Sequence, residues 1–472
     1  MTPDRTALIQ YFDALAPERE RWVRRNAYYH KQLAKTFSFY IPPNSSVIEI
    51  GCGIGQLLDA LKPAHGLGID ISPNMIQVAR SKYPHLEFRV GDVENLDVEE
   101  EFDYVIVSDL VGFLYDVQRS LENLHRVCTP RTRVVISYYN FLWEPILHTG
   151  EALGSKAKQP VQNWLGRLDV ENLLDLAGFE VIRNTSRLLL PKHVPLLAPL
   201  CNRFLVNLPV FRHLALVCVT VARLKPKPRT DSPTCTVVIP ARNERGNIEA
   251  AVQRTPLMGS HSEIVFVEGN STDGTAEEIQ CVIAAHPDRD IKLVPQENGH
   301  GKADAVRKGF AAATGDVLMI LDADLTVAPE ELPKFYNALV RGQGECVLGS
   351  RLVYPMQDQA MRFLNVLGNK FFSLAFTYLL DQRFKDTLCG TKALYRSDYE
   401  RIAANRAYFG EFDPFGDFDL IFGAAKLNLK IVEIAIHYWA RTYGTTNISR
   451  FKHGWLLLRM SLFAMRKIKF VE

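Results

Sequence analysis

Asp322 and Asp324 stand two residues apart just after the apolar run Val317-Leu-Met-Ile-Leu321. That run has the length of a buried strand. Side chains two apart on a strand point the same way, so both carboxylates are expected to converge at its C-terminal edge. In an open α/β sheet that edge is where ligands bind. Two hard oxygen donors with open positions suit Mg²⁺ or Mn²⁺ bridging a diphosphate. An isolated D-x-D also describes a solvated acidic turn, so the surrounding elements decide between the two.

A second constellation lies in the other half of the chain. Val47-Ile-Glu-Ile-Gly-Cys-Gly-Ile-Gly55 passes from a β-branched strand into a glycine turn, and Gln56-Leu-Leu-Asp-Ala-Leu61 continues as a helix. Such a turn lets backbone approach a bound ligand closely. The next strand, Gly66-Leu-Gly-Ile-Asp70, ends on an acid nineteen residues after Gly51, where a carboxylate can accept from ribose hydroxyls. Leu86-Glu-Phe-Arg-Val-Gly-Asp92 then brings Asp92 to where an adenine amino group can be held, and Phe102 to Asp109 forms a fourth strand. The turn lacks the G-x-G-x-x-G spacing that seats a pyrophosphate on a helix start. S-adenosylmethionine carries no phosphate, and its ammonium wants a nearby carboxylate or carbonyl, so this ligand fits better than a dinucleotide.

The elements that position these residues need room. A chain of 472 residues is too long for one core. The prolines and charges of Lys225-Pro-Lys-Pro-Arg-Thr-Asp-Ser-Pro233 mark a linker. The expected organisation is a first domain over 1–224, the linker over 225–233, a second domain over 234–447 and a C-terminal helix over 448–472. With 55 basic and 53 acidic residues, the balance does not suggest a nucleic-acid binder. Eight scattered cysteines without C-x-x-C spacing, and no signal peptide, point to a reducing, cytoplasmic setting. No apolar run reaches the length of a membrane span. Residues 5 to 40 read as helical, and the proline-punctuated stretch from Leu188 to Leu224 reads as a cap with final strands.

Over roughly residues 40 to 185 the sequence resembles the class I S-adenosylmethionine-dependent methyltransferases. The resemblance implies a Rossmann-like fold in which Glu49, Gly51, Gly53 and Gly55 line the methionine moiety, Asp70 takes the ribose and Asp92 the adenine. The methyl acceptor is not legible. Tyr28-Tyr29-His30 and Trp143-Glu144 read more as packing than as substrate contacts.

From about 234 to 445 the chain resembles the family 2 glycosyltransferases, most of all their dolichyl-phosphate mannose synthase branch. The blocks that carry this are Val238-Ile-Pro-Ala-Arg-Asn-Glu244, Glu268 to Thr275, Gly301-Lys302, Leu321-Asp-Ala-Asp-Leu325, Gly349-Ser-Arg351, Asp386 to Arg396 and Arg441-Thr-Tyr-Gly444. The implied fold is the nucleotide-sugar-binding glycosyltransferase A type, and the order of elements suggests a parallel sheet. The implied roles give Pro240, Arg242, Glu244, Glu268 and Lys302 to the UDP- or GDP-sugar. Asp322 and Asp324 take the metal, and Arg351 and Arg441 an acceptor phosphate. Two departures stand out. Glu268-Gly269 replaces the usual pair of adjacent acids, leaving the base open, and Thr326 replaces the Gln that mannose synthases tend to carry.

The resemblance therefore implies an inverting, metal-dependent transfer of a sugar to a polyprenyl phosphate, and the fusion alone suggests that the methylation acts in the same pathway. In sugar-to-sugar members an acid at the position of Asp417 acts as general base, and a hydroxyl acceptor needs one where an ionised phosphate does not. That keeps a glycan-hydroxyl acceptor as an alternative; a third is that one half has lost activity and only binds. Finally, no acid occurs from Ile448 to Val471, while Lys452, Arg459, Arg466, Lys467 and Lys469 flank Trp455 and Phe463. A basic stripe beside apolar residues suits a helix lying on the inner face of an anionic membrane, although an ordinary C-terminal helix packed on the sheet with its cations solvated would give a similar pattern.

Overall fold

The computed structural model describes residues 5–299, 301–355, 363–406, 416–441, 443–444 and 450–470. The chain forms two compact units, residues 1–225 and residues 226–469.

The first unit is built on a seven-stranded sheet: β1 (Ser46–Ile50), β2 (His65–Asp70), β3 (Glu87–Val90), β4 (Phe102–Ser108), β5 (Cys128–Tyr139), β6 (Phe179–Arg187) and β7 (Val217–Leu224). The order across the sheet is β3-β2-β1-β4-β5-β7-β6. The first five strands run parallel, and β7 lies antiparallel between β5 and β6. Ile48, Val105, Val134 and Ile136 are fully buried in its core, as strands covered on both faces require. Because β1 has β2 on one side and β4 on the other, the strand order reverses there, and a crevice opens beyond the strand ends. Two helices, Arg5–Arg25 and Ala27–Tyr40, precede the sheet and line that crevice.

The third strand is shorter than its sequence suggests. Asp92 lies beyond it, and its side chain accepts from the Glu94 N–H as the cap of a short turn. The stretch after Leu188 forms short helical turns over 197–214 and then β7.

The second unit holds another seven-stranded sheet: β8 (Cys235–Ala241), β9 (Ser262–Glu268), β10 (Asp290–Pro295), β11 (Val317–Ile320), β12 (Cys346–Ser350), β13 (Lys392–Tyr395) and β14 (Ile431–Ala435). Its order is β10-β9-β8-β11-β13-β12-β14. The sheet is mixed and not wholly parallel, since β13 runs antiparallel to both β11 and β12. Strand order reverses at β8, between β9 and β11, so the loops after these three strands share one edge. β11 stops at Ile320, and Leu325 has a φ of 51°. Asp322 and Asp324 therefore ride on a turn and not on the pleat.

The helix Arg450–Ile468 packs against the helix Phe363–Leu380. Leu457, Met460, Ala464 and Ile468 form its buried face, while Trp455, Arg459, Leu462 and Arg466 are exposed. One packed face with Arg459 and Arg466 exposed suits an ordinary packed helix as well as a membrane-facing one, although its packing partner is a helix and not the sheet. Lys469 departs from the expected surface stripe: it is buried and paired with Asp381 at 2.6 Å. Among the described residues no helix is long and apolar enough to cross a membrane.

Candidate functional sites

In the first unit the crevice is a cavity of about 1100 Å³ lined by Glu49, Gly51, Gly53, Asp70 and Asp92. Gly53 has a φ of 52°, and a Cβ built there would meet nothing, so this part of the turn faces open space. Its N–H donates to Asp70 Oδ2 at 2.8 Å, while Ser72 N–H donates to Oδ1 at 2.9 Å. Each oxygen keeps a further lone pair for a hydroxyl. Burial raises the Asp70 carboxyl, and these two bonds pull the other way. Gly55 sits against the Phe88 ring, which leaves no room for a side chain. Glu49 is 3% exposed and accepts from Leu58 N–H at 3.1 Å. Burial pushes its carboxyl up to about 8. Asp92 pairs with Arg5.

The same cavity contains groups that sequence reasoning set aside as packing. Tyr29, His30 and Trp143 line it, together with Asp109 and Tyr139. Tyr29 O–H donates to Asp109. Only spatial proximity, across 80 residues of sequence, joins that pair.

In the second unit Lys302 Nζ lies 2.5 Å from Asp322 Oδ1. Burial would raise the Asp322 carboxyl, but Lys302, with Lys392 and Arg351 farther off, holds it below the usual range. Arg441 donates to Asp324 Oδ2 at 2.7 Å and to Glu244 Oε1 at 2.9 Å, bridging the loops after β8 and β11. Burial raises the Glu244 carboxyl, and Arg441 opposes it. Thr326 Oγ1 donates to Asp324 Oδ1 at 2.8 Å. Glu268, at the end of β9, accepts from Ser271 N–H at 2.6 Å, which closes the following turn. Pro240 ends the same edge on β8, and Arg242 beyond it is exposed.

Arg351 is placed differently from its expected role as a free phosphate contact. Its guanidinium is bidentate on Asp386, at 2.7 Å and 2.9 Å, and stacks 5.1 Å over Tyr438. The side chain of Asp417 lies outside the described residues. Gly390 carries a constraint that its sequence block alone does not explain. A Cβ there would collide with Asp322 Oδ2 and Lys302 Nζ, so only a bare backbone lets this ion pair pack so closely against it. Trp439 N–H donates to Thr326 O at 2.9 Å, and Tyr354 stacks on His437 at 4.2 Å beside it.

Among the described residues no cluster of three or more His, Cys, Asp or Glu forms a ready-made metal cage. The donor set is instead two hard carboxylates, each held by a cation. Two such carboxylates would suit a divalent ion taken up together with phosphate oxygens, which would supply its remaining ligands.

Residues 236–402 match the family model "Glycosyl transferase family 2", and residues 48–136 match "Methyltransferase domain". A dolichol-phosphate mannosyltransferase of Pyrococcus furiosus is 38% identical over 173 residues, 36% of this chain and 48% of its own length. An undecaprenyl-phosphate 4-deoxy-4-formamido-L-arabinose transferase of Pectobacterium carotovorum is 34% identical over 116 residues, 24% of this chain and 35% of its own. The chain thus spans about half or less of the length of these curated relatives. The solved magnesium protoporphyrin IX methyltransferase of Synechocystis is 17% identical, with a TM-score of 0.35, covering 46% of this chain and 99% of that one. This chain joins a methyltransferase domain to a domain of glycosyl transferase family 2.

Proposed function

We propose that the second unit moves a sugar from a UDP- or GDP-sugar to a polyprenyl phosphate with inversion, and that the first methylates a component of the same pathway using S-adenosylmethionine. The observation that carries the glycosyl transfer is the arrangement at the end of β11. There Asp322 and Asp324 stand with Lys302, Arg441 and Glu244 at the edge where the strand order reverses. Asp322 and Asp324 would hold Mg²⁺ or Mn²⁺, which when bound neutralises charge on a diphosphate leaving group. Lys302 pairs with Asp322 and Arg441 with Asp324, and both add positive charge at the same edge. Arg441 also ties the Glu244 loop to the Asp324 loop, so the nucleotide and diphosphate ends of a donor would meet one connected surface. Arg351 and Arg441 are both committed to carboxylates, so an acceptor phosphate would replace one anion by another at these cations.

The names of the relatives support a lipid phosphate as acceptor. Such an acceptor is ionised already and needs no general base. Its lipid would lie at the cytoplasmic face of a membrane, and the exposed Trp455, Arg459, Leu462 and Arg466 offer a face of suitable chemistry. The direct experiment is a panel of nucleotide-sugars with a long-chain polyprenyl phosphate and Mn²⁺ or Mg²⁺. Product on the lipid, lost with chelator, is the expected result; transfer only to sugar hydroxyls would replace this reading.

A further inference from the structure

We propose that the methyl acceptor is a hydroxyl compound, an alcohol or phenol, and that Asp109 takes its proton. This rests on the reading of the first unit as an S-adenosylmethionine enzyme.

Asp109 follows directly on β4, at the crevice where the strand order reverses, and it lines the cavity. Its backbone is held in the left-handed region at a φ of 52°. For a residue other than glycine that conformation costs energy and persists only where neighbours enforce it. Here Asp109 N–H donates to Ser137 O at 3.0 Å, and Ser137 Oγ–H donates back to Asp109 Oδ1 at 2.9 Å. Tyr29, reaching over from the Ala27–Tyr40 helix, donates its O–H to Oδ2. One carboxylate is therefore oriented from two neighbouring elements, β5 and the Ala27–Tyr40 helix, and still remains partly open to the cavity.

Its surroundings select the acceptor. Arg19, Lys156 and Lys192 also line the cavity. Lys156 is neutralised by Glu151 at 2.7 Å, but the Lys192 ammonium is met by the neutral Asn26 Oδ1 at 2.6 Å. Glu49, Asp70, Asp92 and Asp109 line the same walls, so charge alone does not reject an amine; an amine, however, attacks through its own lone pair and needs no base as it does so. A carboxylate acceptor would need no base and would be repelled by Asp109. A hydroxyl is neutral until it reacts and must lose a proton as it does. In that step the acceptor oxygen bonds to the methyl carbon while the carbon–sulfur bond of S-adenosylmethionine breaks, and the hydroxyl proton passes to Asp109. His30 is less suited to hold that proton, since burial lowers its imidazole to about 3. Burial raises the Asp109 carboxyl, with Tyr29 and Ser137 opposing.

Two measurements on the full chain test this. Calorimetry compares S-adenosylhomocysteine with sinefungin, whose amine occupies the place of the transferred methyl. Wild type should prefer sinefungin. Asp109→Asn should cut sinefungin affinity about tenfold while changing S-adenosylhomocysteine less than twofold, and Tyr29→Phe, which keeps the carboxylate, should retain the preference. An Asp109→Asn protein with the wild-type preference overturns the placement of Asp109 at the methyl group. The second measurement follows labelled methyl from S-adenosylmethionine into polyols, phenols, amines and carboxylates. Alkali-stable ethers, lost in Asp109→Asn, are expected, and label on an amine or carboxylate overturns the acceptor class. If wild type binds none of the three cofactor forms, the methyltransferase reading fails before this one is reached.

Discussion

At Asp70 the N–H groups of Gly53 and Ser72 meet one carboxylate, which ties the glycine turn to the end of β2. Asp70→Ala should therefore remove two things, a charge-assisted contact to a ribose and the clamp on the turn. We expect a loss of about 1.5–3 kcal/mol in S-adenosylmethionine affinity by calorimetry, with Asp70→Asn in between. Affinity unchanged in a folded Asp70→Ala protein would remove the ribose from this residue. Glu49 makes a pH prediction. Its carboxyl has an ordinary value near 4.5 and stands at about 8 in the folded chain, because of burial. Between those values the unfolded chain has released the proton and the folded one still holds it. Stability without cofactor should thus fall as pH rises through that window and level off above it, by a few kcal/mol at most. Thermal melts of Glu49→Gln between pH 5 and 8 should show a flatter dependence than wild type. Equal slopes would mean that Glu49 ionises freely in the fold.

At the scale of elements, the loop after β11 depends on what packs against it. Gly390→Ala would put a methyl group on Asp322 and Lys302. We expect sugar transfer to fall by at least tenfold with S-adenosylmethionine binding intact, since the clash lies in the second unit alone. The succession of strands along the chain and the two glycine- and acid-ended turns were legible in sequence because local periodicity and turn chemistry encode them. The early end of β11, which puts Asp322 and Asp324 on a turn and not on the pleat, was not legible. The mixed sheet was not, because β13 enters from 70 residues beyond β11 and nothing local gives its direction. Arg351 looked available for a phosphate for a similar reason: its partner Asp386 is 35 positions away. Tyr29 reads as packing because its partner Asp109, at the end of the fourth strand, lies 80 residues away in sequence. In the Arg450–Ile468 helix the stripe itself was legible, whereas the burial of Lys469 depends on Asp381. Replacing Arg459 and Arg466 by Glu should release the protein from anionic vesicles at low salt without lowering its melting temperature. Each cation near such a surface contributes about 1 kcal/mol, screened by salt. Absence of wild-type vesicle binding would leave that face without a membrane role.

For the whole molecule the two chemistries should be separable, because the metal-suited carboxylates belong to one unit and the cofactor-suited cavity to the other. Chelator should abolish sugar transfer and leave S-adenosylmethionine binding unchanged, and Asp70→Ala should do the reverse. The most direct measurement of the central claim is transfer of labelled sugar from UDP- and GDP-sugars to a long-chain polyprenyl phosphate, by wild type and by Asp322→Asn, with Mn²⁺ and with excess chelator. The account predicts labelled lipid only with wild type and metal, at least a hundredfold above Asp322→Asn. Equal transfer by Asp322→Asn, or full transfer in chelator, would contradict it.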